Sequence, residues 1–264
     1  MPGHYLTQQQ LISRAARHAV IGALVIVIME GCAGLFHGST KYPPLDDTLI
    51  GKGEFDGTVQ EYRQAILLDP DDVKAHIGLG RGLLDIGEFD EAIIEERTAI
   101  RLAPNDAKTH TNLALVLISI GAYDEAIAEA RTAIRLNPDD ADAHNSLGFV
   151  LINAGDYDGA GAECRAAIRL DPELADAHMN LGLALHGQRA LPGAITEYRT
   201  ALRLNPNRIS VHYNIGRALL DQGHMSAAVL ELKEFLQSAQ TRPHDRRQVD
   251  DAEKRLNELG VSEK

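Results

Sequence analysis

Five of the chain's ten prolines stand at one constant interval of thirty-four positions, at Pro70, Pro104, Pro138, Pro172 and Pro206. A proline ends a helix and redirects the chain, so this comb cuts the sequence into equal structural units. Aligned on it, whole columns fill with one kind of residue. One column holds Leu83, Leu117, Leu151, Leu185 and Leu219, and another holds Ala92, Ala126, Ala160, Ala194 and Ala228. A third is Gly80, Ala114, Gly148, Gly182 and Gly216, and a fourth is Ile100, Ile134, Ile168, Leu202 and Leu236. Small residues at fixed places let two helices approach closely, and the aliphatic columns beside them fill the gap.

Each period reads helix, turn, helix, turn. In residues 107–140 the first run is Ala107–Ser119, closed by Gly121, whose lack of a side chain suits a left-handed helix end. Asp124 begins the second run, which ends with Arg135-Leu136 before Asn137-Pro138. The Leu-Gly pair, the aromatic Tyr, the paired Ala and the closing Pro at this spacing resemble the tetratricopeptide repeat (TPR) family. The resemblance covers 73–242 as five repeats, preceded by a helix-B half repeat within 53–72. It implies an all-α fold, a right-handed TPR superhelical solenoid of helix-turn-helix repeats. Repeat five has Gln240 where the closing Pro would stand, and Phe235 in a column of alanines. Pro243 then sets apart a last run, Asp245–Leu259, with Val249, Ala252, Leu256 and Leu259 on one stripe. Residues 243–264 therefore read as a C-terminal capping helix and tail, with one side to bury and one side for water.

The N-terminal end is of another kind. The chain carries a formal charge of -12, yet residues 1–31 hold Arg14 and Arg17 against Glu30, a net of +1. Behind the arginines runs Ala19–Met29, eleven uncharged and mostly apolar residues. That matches the basic and apolar regions of a signal peptide, whose apolar part spans roughly 7–15 residues. Three readings stand. Met29-Glu30-Gly31-Cys32 resembles a bacterial lipobox, with Cys32 the candidate for lipidation. Alternatively Ala19–Phe36 is an uncleaved anchor, about 27 Å long as a helix. It is otherwise an amphipathic helix packed on the protein. In the first two, the arginines keep the N-terminus cytoplasmic and the main domain lies outside, on the periplasmic side if Gram-negative; otherwise the chain is cytoplasmic. Residues 1–36 are thus a signal or anchor, and 37–52, with Pro43-Pro44, a tether.

The acidic balance gives the chain no global attraction for nucleic acid, and two cysteines exclude a disulfide-framework scaffold. No GxSxG, HExxH or P-loop is present, so neither catalysis, a small-molecule substrate nor a cofactor is expected. His76, His110, His144, His178 and His212 recur with the period of the prolines. A shared metal would need both nitrogens within about 2.1 Å of it, whereas equivalent helices pack roughly 8–10 Å apart. These rings are therefore expected on the helix seam, where the TPR pattern often has Trp. The column Glu95, Glu129, Glu163, Glu197 and Glu231 reads as a solvated face. Cys164 shares a packing column with Ala130 and Leu232 and reads as a buried thiol. Gly78-Leu79-Gly80-Arg81-Gly82 lies inside a helix with no strand before it, which excludes a dinucleotide loop.

The opposite face of the first helix in each repeat changes from repeat to repeat, while the core columns do not. Packing imposes repetition and recognition does not, so this face is the candidate binding surface. Its candidate residues are Lys74 and Arg81 in repeat one, and Lys108, Asn112 and Leu115 in repeat two. Asn145 and Phe149 follow, then Asn180 and Leu183, then Asn214 and Arg217. The TPR resemblance implies that this face lines a concave groove. Asn112, Asn180 and Asn214 resemble the asparagine ladder of the O-GlcNAc transferase TPR region, with Gly78 and Ser146 departing from it. A carboxamide donates and accepts, so it can pair with a peptide backbone of any sequence. Lys74, Arg81 and Lys108 make a basic front, while Asp142, Asp176 and Asp221 make an acidic back. The chain is expected to be a non-catalytic scaffold held at a membrane, binding an extended peptide or partner segment, similar to TPR lipoproteins of envelope assemblies. The alternative is a targeting subunit of a separately encoded transferase or envelope hydrolase.

Overall fold

A computed structural model of the chain describes residues 59–239 and 246–261. The expected signal or anchor with Cys32, the tether and the start of the half repeat lie outside the described residues. Within them run twelve α-helices and no strand. They are α1 Val59–Leu68, α2 Val73–Asp85, α3 Phe89–Leu102, α4 Ala107–Ser119, α5 Tyr123–Leu136 and α6 Ala141–Ala154. The remainder are α7 Tyr157–Leu170, α8 Ala175–Gly187, α9 Leu191–Leu204, α10 Ser210–Asp221, α11 Met225–Ala239 and α12 Arg246–Glu258. Helices pack in sequence order, α2 on α3, α3 on α4 and so on, giving the all-α solenoid of helix-turn-helix repeats that the sequence resemblance implies. No described helix is long and apolar enough to cross a membrane.

Local chemistry sets the ends. The first helix of the first three repeats starts at Asp72, Asp106 and Asp140, whose carboxylates accept from backbone N–H groups of the first turn. In repeats four and five that column holds Leu174 and Arg208, and α8 and α10 start without a side-chain cap. The same helices end on a left-handed residue. Gly155, at φ 85°, closes α6, but the corresponding residue after α8 is Arg189 at φ 65°. A side chain there costs roughly 1–2 kcal/mol, and Arg189 is also held by an ion pair to Asp221 at 3.1 Å.

The seam inside each repeat joins a small residue to a complementary one. A methyl added at Gly148 would lie 2.6 Å from Cys164 Sγ, and one at Gly216 2.8 Å from Leu232 Cδ2. At Gly182 it would lie 2.5 Å from the Tyr198 ring, and at Gly80 2.7 Å from Glu96 Oε1. Only repeat two has alanine in the first column, Ala114, and there the second column shrinks to Ala130. Cys164 is fully buried, and burial pushes its thiol up to about 12, so it is not available as a thiolate.

The histidine and glutamate columns meet. Nδ1 of His76, His110, His144, His178 and His212 is hydrogen-bonded to Oε2 of Glu95, Glu129, Glu163, Glu197 and Glu231, at 2.6–2.7 Å. In the first four repeats the other ring nitrogen bonds the carbonyl of Pro70, Pro104, Pro138 or Pro172, at 3.0–3.1 Å. In those four repeats the imidazole thus clips the second helix of its repeat to the turn that precedes the first. The glutamates are consequently half-buried and not the solvated face expected of them, because each is drawn onto the ring of its own repeat.

Beyond repeat five, α12 buries Ala252 and Leu256 against Phe235, Leu236 and Ala239, with Val249 and Val261 at the margin. A polar lock reinforces it. The Tyr213 hydroxyl donates to Asp251 Oδ2 at 2.8 Å, and Arg255 Nε donates to the same oxygen at 2.5 Å. Burial raises the Asp251 carboxyl, but the bonds from Arg255 and Tyr213 outweigh it and hold the group below the usual carboxylate range. Burial pushes the Tyr213 phenol up to about 12.

Candidate functional site

The variable face lies on α2, α4, α6, α8 and α10, which also pack on one another from repeat to repeat. That second contact sorts the candidate residues into a floor and a rim. On the floor, Leu115, Phe149, Asn145, Asn180 and Asn214 are only 4%, 7%, 4%, 0% and 3% exposed. The rim consists of exposed Lys74 and Lys108 with half-buried Arg81, Asn112, Leu183 and Arg217. Leu115 and Phe149 share one apolar cluster, on which Leu183 packs.

The asparagines bond within the face. Asn180 Nδ2 donates to Asn145 Oδ1 at 2.9 Å, tying α8 to α6. Asn180 Oδ1 and Asn214 Oδ1 are buried and accept no hydrogen bond. A buried acceptor without a donor is costly, on the order of 1–3 kcal/mol. Arg217 stands 5.6 Å from the centre of the Tyr213 ring, within cation–π reach, so the last rim cation is held beside the residue that locks α12.

The acidic back of the face is engaged internally. Asp176 pairs with Arg208, whose side chain is buried. Asp221 bonds His186 Nε2 at 3.0 Å as well as Arg189. Burial lowers the His186 ring below its ordinary value, against the opposing pull of Asp221. Asp142 has its carboxyl raised by burial, then by Asp140 and Asp171, with Lys108 acting the other way. Of the graded charge read from the sequence, the two lysines remain exposed, while two of the three aspartates are committed to internal partners.

Two residues escaped the sequence reading. Glu96 is a buried acid on the repeat-one seam, in a column otherwise filled by Ala130, Cys164, Tyr198 and Leu232. The mismatch within that column was the available signal. Asp251 carried none, since its partner Tyr213 is 38 residues away and outside the repeat register. No group of three His, Cys, Asp or Glu side chains among the described residues is placed to hold a metal ion.

The tetratricopeptide repeat family profile matches residues 47–107 and 111–175, and a second profile, described as TPR repeat, matches 190–223. Among solved structures the chain is similar to the MamA protein, at 25% identity over 64% of this chain and 93% of that one, with a TM-score of 0.50. It resembles the APC/C hetero-tetramer Cut9-Hcn1 at 23% identity and TM-score 0.64, covering 74% of this chain but 39% of that one. It also resembles Pseudomonas aeruginosa pilF at 24% identity and TM-score 0.55, over 78% of this chain and 95% of that one. A search of curated proteins finds no match.

Proposed function

The chain belongs to the tetratricopeptide repeat family, and from that footing we propose that it is a non-catalytic scaffold whose helix face on α2, α4, α6, α8 and α10 holds a partner protein at a membrane. The observation that carries this reading is the rim. Lys74, Lys108, Arg81, Asn112, Leu183 and Arg217 form a mixed basic, amide and apolar edge that differs in every repeat. The floor beneath gives shape to that edge. An extended partner segment meets the rim first, with its acidic portion toward repeats one and two, where the two lysines stand. The buried Asn180–Asn145 bond belongs to that floor, and half-buried Asn112 is the amide that the rim presents to a partner backbone. Arg14, Arg17 and the apolar Ala19–Met29 support the membrane tether, which would raise the effective concentration of membrane partners.

The test uses the full chain in its native membranes. Proteins crosslinked to the wild type and to a Lys74→Glu/Lys108→Glu variant are identified by mass spectrometry at low and high salt. The variant is expected to lose several-fold of the specific partners at low salt, with the difference shrinking as salt rises. Equal recovery at both salts would overturn the orientation, and recovery of the wild-type chain in the soluble fraction would overturn the tether.

A further inference from the structure

We infer that Glu96 makes the seam of repeat one a pH-sensitive joint, closed tightest when its carboxyl is neutral and loosened as it ionises. Glu96 sits on α3 with its side chain laid over Gly80 of α2, and it is 1% exposed. Its Oε2 accepts no hydrogen bond. An ionised carboxylate accepts at both oxygens and donates at neither, so the charged form is poorly served in this seam. The neutral acid avoids most of the cost of burying charge. The corresponding residues of the other repeats, Ala130, Cys164, Tyr198 and Leu232, fill the same seam without a carboxylate.

The charged groups acting on Glu96 are Arg81, across the seam on α2, and Glu95, on its own helix. Glu95 is itself bonded to His76. On α4, the other helix packed against α3, the ionisable side chains are Lys108 and His110, and His110 is taken up by Glu129 and the Pro104 carbonyl. Burial dominates, ahead of the opposing pull of Arg81, and holds the carboxyl well above the usual glutamate value. An acid raised on folding leaves stability unaffected below its unfolded pKa. Stability then falls as pH climbs toward the folded pKa, and the full loss persists above it. Lys74 and Arg81 of the rim are both on α2, so loosening this seam releases one end of the candidate binding face. That consequence rests on the proposed function, whereas the joint itself does not.

Hydrogen exchange on the full chain separates the two. Between about pH 5 and about pH 8, with intrinsic exchange rates divided out, protection of α2 and α3 is expected to fall about tenfold for each unit by which folding raises the carboxyl. Protection of α6 and α7 serves as the control, because repeat three carries the same His–Glu clip and Cys164 in place of Glu96. In Glu96→Gln and in Glu96→Leu, which reproduces the Leu232–Gly216 seam of repeat five, α2 and α3 should follow α6 and α7 throughout. The inference is overturned if wild-type α2 and α3 already track α6 and α7, or if the fall persists in either variant. Failure of partner binding with the exchange result intact would instead refute the proposed function.

Discussion

Asp176→Ala is expected to lower the unfolding free energy by about 3–5 kcal/mol. Arg208 occupies the loop between α9 and α10, in the column that holds the capping aspartate in repeats one to three. Its side chain is 1% exposed and its Nη1 pairs with Asp176 Oδ1 on α8. Removing the carboxylate leaves a guanidinium, which stays charged, buried between repeats four and five. The surface pairs Arg63–Glu91 and Arg97–Glu125 make the contrast, because their side chains are 41–57% exposed. Glu125→Ala should therefore change stability by about 1 kcal/mol or less. Adding Arg208→Met to Asp176→Ala removes the buried charge and should recover most of the loss. Urea unfolding of the three variants checks this, and a loss below about 1 kcal/mol for Asp176→Ala would refute a buried, closely paired guanidinium.

The second large effect lies in the repeat-four seam. A methyl at Gly182 would fall 2.5 Å from the Tyr198 ring, which is fully buried. Gly182→Leu should therefore force α8 and α9 apart and cost about 3 kcal/mol or more. Gly182→Ala gains helix propensity of about 1 kcal/mol but is expected to be destabilising on balance. Tyr198→Ala alone opens a cavity worth about 3–5 kcal/mol. The double variant Gly182→Ala/Tyr198→Ala rebuilds the Ala114–Ala130 pair of repeat two. Its cost should fall short of the summed single costs by at least about 1 kcal/mol. Strict additivity in thermal or urea unfolding would show that the two columns do not set the helix spacing.

Much of the fold was legible in the sequence because solenoid packing imposes the same demand on every repeat. The run Ala107–Ser119 emerges as α4 with the same ends, and the second run of that repeat starts one residue earlier, at Tyr123 rather than Asp124. What a single helix face cannot reveal is how closely its neighbours stand. The residues Leu115, Phe149, Asn180 and Asn214 point to the variable face, yet adjacent first helices approach closely enough to cover them. The same limit hid the His–Glu clips. A column taken on its own helix does not disclose its partner, although the constant offset from each histidine to its glutamate is already present in the sequence. Arg208 was not singled out from the sequence, and its reach back to Asp176 depends on the geometry of the loop.

The claim that partners engage the variable face is tested most directly by photocrosslinking from defined positions. A photoreactive residue replaces Asn112 or Leu183 on the rim, or Ile94 or Leu230 at exposed second-helix positions, in the full chain within its native membranes. Partner crosslinks are expected from 112 and 183, with little or none from 94 and 230. Crosslinks to the same partner from 94 and 230, with silence at 112 and 183, would contradict it.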